Sequence, residues 1–204
     1  MAHDLVTWQD RDDSPVEDHI VHLQGAAWAD YERLLEIRGD RSAPRITYLE
    51  GTLEIMSPSR NHESIKSIIG RLVEVWCLAH EVRFTTVGSW TIKEKEARRG
   101  AEPDECYLFG AAEEDATRPD LAIEVVWTSG GIDKLEVYRR LGVREVWYWR
   151  QGVLRAYALR DDARYEEIAD SEVLPGIDLD QLASFLDRPS TYDAINDYRD
   201  AIEG

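Results

Sequence analysis

The sequence predicts an α/β (α+β) chain: a mixed β-sheet flanked by helices, with a C-terminal hairpin. Three observations carry this. Ile65, Ile68, Ile69, Leu72, Val73 and Trp76 recur at helical spacing and draw one apolar stripe. Residues 121–126 are nearly all apolar, as in a strand covered on both faces. Residues 143–149 and 153–159 flank Arg150-Gln151-Gly152 and read as a hairpin. Strands interleaved with helices argue for a layered sheet rather than a bundle or a sandwich.

In chain order, residues 1–18 read as a loosely ordered segment, crowded with Asp10, Asp12, Asp13, Glu17 and Asp18. Trp28, Tyr31, Leu34 and Leu35 step by three and four residues, a short amphipathic helix over 26–37 that the stretch 39–44 breaks. Residues 45–56 read as two short strands around Glu50-Gly51. Ser57-Pro58-Ser59-Arg60-Asn61 ends the sheet, and Ser59 or Asn61 caps the striped helix. Residues 82–92 read as a strand interrupted at Gly88-Ser89, and 93–102 as a charged loop. Strands follow at 105–109 and 121–126, then a turn at Thr128-Ser129-Gly130-Gly131 and a helix over 132–141 ended by Gly142. After the hairpin come a further strand at 164–168, a short helix at 179–186, and a peripheral helix from Thr191. The expected organisation is one domain over 19–190, with 1–18 and 191–204 as appendages.

The 204 residues suit a single domain, and 43% hydrophobic content is ordinary for a globular chain. No apolar run approaches the ~20 residues of a membrane span. The polar N-terminus has no signal-peptide core. Cys77 and Cys106 lack metal-ligand spacing, so reduced, buried thiols and a cytoplasmic location are expected. A net charge of −17 works against gripping nucleic acid by charge alone. Lys93, Lys95, Arg98 and Arg99, with Arg60 and Lys66 upstream, form either a local positive patch or simply a solvated loop.

Candidate chemistry centres on Asp104, Glu124 and Lys134. A carboxylate within an apolar strand is costly unless it is paired or metal-bound, which singles out Glu124; a structural ion pair is the plain alternative. A strand bearing Asp104 beside the strand of Glu124 would bring two carboxylates to one edge, and the next helix would return Lys134 to that end. With the backbone carbonyl of Val125, these hard oxygens suit Mg²⁺ or Mn²⁺. Such an ion polarises a scissile phosphate and acidifies a bound water, while Lys134 orients that water or balances developing charge. His62 lies at the edge of the apolar stripe and faces inward, as a phosphate contact, an auxiliary acid or base, or a satisfied core residue. Glu63 points away from the stripe, and Glu54 remains ambiguous as a further metal ligand. Asp120 reads as a cap or pair at a strand start, and the tryptophans, Trp147 and Trp149 among them, as core. A paired-carboxylate glycosidase would not need Lys134.

The order strand–Asp, strand–Glu, lysine resembles the PD-(D/E)XK nuclease superfamily. More closely, the chain resembles the Uma-type family of restriction-endonuclease-like proteins. The matching segments are Gly51-Thr52-Leu53-Glu54-Ile55-Met56-Ser57-Pro58 with His62-Glu63, then Pro103-Asp104, then Pro119-Asp120-Leu121-Ala122-Ile123-Glu124-Val125. They continue through the block from Lys134 to Trp147 and end at Leu174-Pro175-Gly176. The resemblance implies a restriction-endonuclease-like fold and metal-dependent DNA hydrolysis, with Asp104 and Glu124 as catalytic acids. It matches His62 to a histidine the family often carries at the start of its first core helix. The superfamily's simplest motif has its lysine two residues after the second acid. Val126 stands there, and Lys134 matches a lysine displaced onto the following helix. The turn expected after the second acid is altered to Trp127-Thr128-Ser129-Gly130-Gly131. Cutting both strands would call for a homodimer. The rival expectation is a member of the fold that no longer cuts and serves as a binding or partner-interaction module.

Overall fold

The computed structural model describes residues 17–88, 90–111 and 116–204. The loose segment expected at the N-terminus lies outside these up to residue 16, whereas Asp18 is buried. Strand β1 (His19–Gln24) leads to helix α1 (Trp28–Arg38), which packs Tyr31 on Tyr48, with Trp28 edge-on to Tyr48 and tilted against Tyr31. Strands β2 (Arg45–Leu49) and β3 (Thr52–Ser57) form the expected hairpin. The apolar stripe becomes α2 (Arg60–Ala79), capped by the Ser59 hydroxyl, which accepts from the His62 amide at 3.2 Å.

The next stretch departs from expectation. Residues 82–92 do not form one interrupted strand: β4 (Phe84–Thr86) and β5 (Ile92–Glu94) belong to different sheets. Nor is 93–102 a loop, because β5 pairs with β6 (Arg99–Ala101) as a hairpin. Charge density suggested solvent, but Ile92 and all three residues of β6 are buried while Lys93 is exposed. Strands β7 (Glu105–Phe109) and β8 (Leu121–Val125), helix α3 (Lys134–Leu141), and the β9 (Glu145–Arg150) and β10 (Val153–Leu159) hairpin follow. Then come β11 (Tyr165–Ile168), α4 (Leu179–Ala183) and α5 (Thr191–Glu203).

Two sheets result. One is antiparallel in the order β1-β3-β2-β6-β5. The other, β11-β10-β9-β8-β7-β4, is the expected mixed sheet: β8 and β9 run parallel, joined through α3, and its other pairs are antiparallel. Helix α2 covers one face of it, with Ile69, Leu72, Val73 and Trp76 in one core with Leu121, Ile123 and Trp147. Each fully buried leucine or isoleucine of that layer contributes about 1.5–3 kcal/mol. The terminal α5 adds Ala194 and Tyr198 to the same core. Helix α3 covers the opposite face, where Val137, Tyr138 and Leu141 meet Ala122 and Val146. Strand β8 is buried on both faces, as its composition predicted. Alternation turns Leu121, Ile123 and Val125 to α2, and Ala122 and Glu124 to α3.

Candidate active site

Two acidic clusters flank the end of β8. The first forms where the α3 face of β8 meets the N-terminus of α3. Lys134 and Tyr138 are four residues apart, so both project from one helix face. The Tyr138 hydroxyl donates a short hydrogen bond to Glu124 Oε1, and Lys134 Nζ stands 3.9 Å from Glu124 Oε2. Burial, followed by the nearby Glu124 carboxylate, pushes the Tyr138 phenol well above its ordinary value, so it stays a donor. Asp133 caps α3 by accepting from the Leu135 amide at 3.0 Å, and Gly142 ends it with φ of 72°.

Glu54 of β3 completes this cluster. Its Oε2 accepts from the Ile132 amide at 2.6 Å and lies 3.0 Å from His22 Nε2, while its Oε1 is 4.0 Å from Lys134 Nζ. The loop before α3 lies directly on this carboxylate. A Cβ on Gly131 would stand 3.0 Å from Glu54 Oε2, a tight approach that a glycine avoids. Asp18, Glu54, Glu124, Lys134, Tyr148 and Arg150 line a cavity of about 270 Å³. Arg150 is exposed at it, whereas Glu54, Glu124 and Lys134 are buried.

The second cluster is closed. Asp104 forms an ion pair with Arg45, lies 3.0 Å from His62 Nε2, and accepts from the Val125 amide at 2.6 Å. His62 Nε2 is also 3.2 Å from Arg45 Nη1. Its Nδ1 is 3.0 Å from Asp18 Oδ2, and Asp18 Oδ1 accepts from the Ser59 amide at 2.8 Å. Burial raises the Asp18 carboxyl, but the hydrogen bonds from His62 and Ser59 outweigh it, and the net shift is downward. An ionised Asp18 therefore accepts from a protonated Nδ1.

Glu124 and Lys134 thus come together as the sequence suggested, and Val125 lines the same cavity. Asp104 continues the β7–β8 register, which pairs Glu105 with Ile123, and so stands across from Glu124. Its carboxylate is taken up by Arg45, His62 and the Val125 amide. His62 faces inward but is not among the cavity-lining residues. Glu63 pairs with Arg45 at 2.9 Å and with Lys66 at 3.2 Å. Asp120 pairs with Arg144 and caps Phe109, and Trp147 and Trp149 are core. Part of the basic run is paired with acids. Arg99 is buried between Glu50 and Glu136, both at 2.9 Å, and Lys66 stands near Glu63 and Glu105. Asp18, His22, Arg45 and Tyr138 escaped the sequence reading. Only Tyr138 carried a signal, its four-residue step from Lys134.

The donor chemistry fits a hard divalent cation. Glu54 Oε1 and Glu124 Oε2 face Lys134 and accept no hydrogen bond among the described residues, since their sister oxygens take the donors. Among the described residues, no three His, Cys, Asp or Glu side chains are gathered as a ready ligand cluster.

A family model, Uma2, described as "Putative restriction endonuclease", matches residues 28–185. No curated protein matches the chain. Among solved structures, the crystal structure of "a putative nuclease belonging to DUF820" from Anabaena variabilis aligns with 80% of this chain and 96% of its own. The identity is 16% and the TM-score 0.45, a likeness too loose to transfer any residue's role.

Proposed function

The chain belongs to the Uma2 family, described as "Putative restriction endonuclease", and from that membership we propose that it is a divalent-metal-dependent endonuclease that hydrolyses DNA phosphodiester bonds at the Glu54–Glu124–Lys134 cavity. The observation that carries this reading is the Lys134 ammonium facing two carboxylate oxygens at 3.9 and 4.0 Å beside that cavity. Glu54 and Glu124 would hold Mg²⁺ or Mn²⁺, with Asp104 across the strand from Glu124 as the expected further acid. A bound cation of this kind polarises a scissile phosphate and lowers the pKa of a water. Tyr138 and the Ile132 amide each engage one oxygen of their acid and leave the other facing the cavity. Lys134 would balance charge on the phosphate oxygens as the leaving group departs. Arg150, exposed at the cavity, would hold a neighbouring phosphate. His62, with both nitrogens engaged, would orient Asp104 rather than touch substrate. Cutting both strands would take two copies of the chain.

The test is cleavage of supercoiled and linear DNA with Mg²⁺ or Mn²⁺, by the wild type and by Glu54→Ala, Glu124→Ala, Lys134→Ala and Asp104→Ala. Loss of cutting at Glu54, Glu124 and Lys134, with cation binding lost at the two glutamates, is the expected result. A wild type that neither cuts nor binds the cation by calorimetry would overturn the reading.

A second reading, a member of the fold that binds without cutting, has one observation in its favour. Arg45 already neutralises Asp104, the acid the family resemblance assigns to catalysis. The same calorimetry separates the two readings.

A further inference from the structure

One strand of the site precedes the family-matched span, which begins at Trp28. Strand β1 pairs with the edge of β3, with His22 directly opposite Glu54. Side chains alternate along an extended chain, so Asp18, Ile20 and His22 share one face. That face is the one turned to the site. Asp18 and Ile20 line the cavity, and His22 contacts Glu54. The opposite face is exposed at Val21 and Leu23.

Both polar residues of the inner face fix a candidate catalytic group through a hydrogen bond. Asp18 accepts from His62 Nδ1–H, which sets the ring so that Nε2 meets Asp104 and Arg45. Its carboxylate also accepts from the Ser59 amide at the start of α2, and its own amide donates to Thr128 Oγ1 in the cavity loop at 3.0 Å. His22 Nε2–H donates to Glu54 Oε2, leaving Oε1 toward Lys134. Asp18 and His62 are nearly free of solvent, so their partnership is not easily replaced by water, whereas the His22 side chain is 33% exposed.

We infer that β1 is a strap belonging to the catalytic apparatus, in which Asp18 and His22 are positioning residues: Asp18 acts through His62 on Asp104, and His22 acts on Glu54. The role in catalysis rests on the endonuclease reading; the strap's hold on His62 does not. Hydrogen-bond partners one shell out from reacting groups typically change activity by about 10–100-fold when removed.

The experiment compares full-length wild type with Asp18→Ala, Asp18→Asn, His22→Ala, His22→Gln and the outer-face control Val21→Thr. Cleavage is followed with Mg²⁺ or Mn²⁺, and the imidazole ¹⁵N signals of His62 are recorded in parallel. The expected result is a kcat lower by about 10–100-fold in each alanine variant with KM little changed. Asp18→Asn and His22→Gln should recover part of it, because an amide oxygen can accept from His62 and an amide N–H can donate to Glu54. Val21→Thr should match the wild type. In Asp18→Ala the His62 Nδ1 signal should move away from that of a hydrogen-bonded N–H. Should Asp18→Ala fail to fold, the wild-type spectrum decides: a His62 Nδ1 signal that is not that of a hydrogen-bonded N–H overturns the proposal. Unchanged kcat in both alanine variants, or an equal loss in Val21→Thr, would overturn the proposal. If the wild type cuts no DNA, the endonuclease reading fails, and the strap is judged by the spectrum alone: a moved Nδ1 signal supports it and an unmoved one sinks it.

Discussion

Glu124 and Asp104 stand across neighbouring strands of one sheet, yet their surroundings are opposites. Asp104 is closed in by Arg45, His62 and the Val125 amide, and its side chain has no solvent exposure. Glu124 has one oxygen tied to Tyr138 and the other facing a lysine at 3.9 Å beside a cavity. A charge compensated at contact distance holds structure together. A charge left at about 4 Å from its counterion, next to open space, is available to a ligand. The difference predicts that losing a charge partner costs more stability on the Asp104 side than on the Glu124 side.

The largest expected effect tests the closed side. Arg45→Met leaves Asp104 as an uncompensated buried carboxylate, which should cost about 3–5 kcal/mol. Urea melts of the two proteins would measure it, and a loss below about 1 kcal/mol would erase the contrast. The next effect tests the open side. Lys134→Met should lower cleavage by about 10²–10³-fold, the scale seen when one transition-state charge stabiliser is removed. Its melt should shift less than that of Arg45→Met, because Tyr138 still holds Glu124 and the Ile132 amide still holds Glu54. An equal melting loss would mean that Lys134 is a structural counterion like Arg45.

A third, smaller effect follows from Asp18. Its carboxyl is held below the ordinary value of 3.8, so the stability it contributes is complete above 3.8. That contribution is lost as pH falls through the lower native value. Wild-type stability should therefore drop on acidification below 3.8 more steeply than that of Asp18→Asn, as followed by the urea midpoint at each pH. The smallest effect concerns Arg150. Arg150→Gln should weaken DNA binding uniformly across sequences and reduce the slope of log affinity against log salt by about 1. A sequence-dependent loss would give Arg150 a role in base recognition instead.

Much of the frame was legible in the chain. The stripe from Ile65 to Trp76, the apolar strand around Glu124 and the Arg150-Gln151-Gly152 turn declared themselves through periodicity, which is local. Lys134 and Glu124 were legible because a carboxylate in an apolar strand demands a partner, and the helix that follows is the nearest source of one. The β5–β6 ribbon was hidden because exposed Lys93, Glu94 and Lys95, together with the buried but charged Arg99, mask Ile92 and Ala101. The strap was hidden for a different reason. Asp18 ends a run of acids and looked like one more solvated charge.

The sequence by itself determined the main helices and the central strands of the mixed sheet, and which residue types can do chemistry, because both follow from side-chain pattern and acid–base character. Only the tertiary structure decided that Asp104 is the compensated acid and Glu124 the available one. That distinction depends on where Arg45, Tyr138 and Asp18 arrive, from 59 residues before Asp104, 14 after Glu124 and 44 before His62. Distance in space and exclusion of water set the cost of a charge, and neither is written in sequence order.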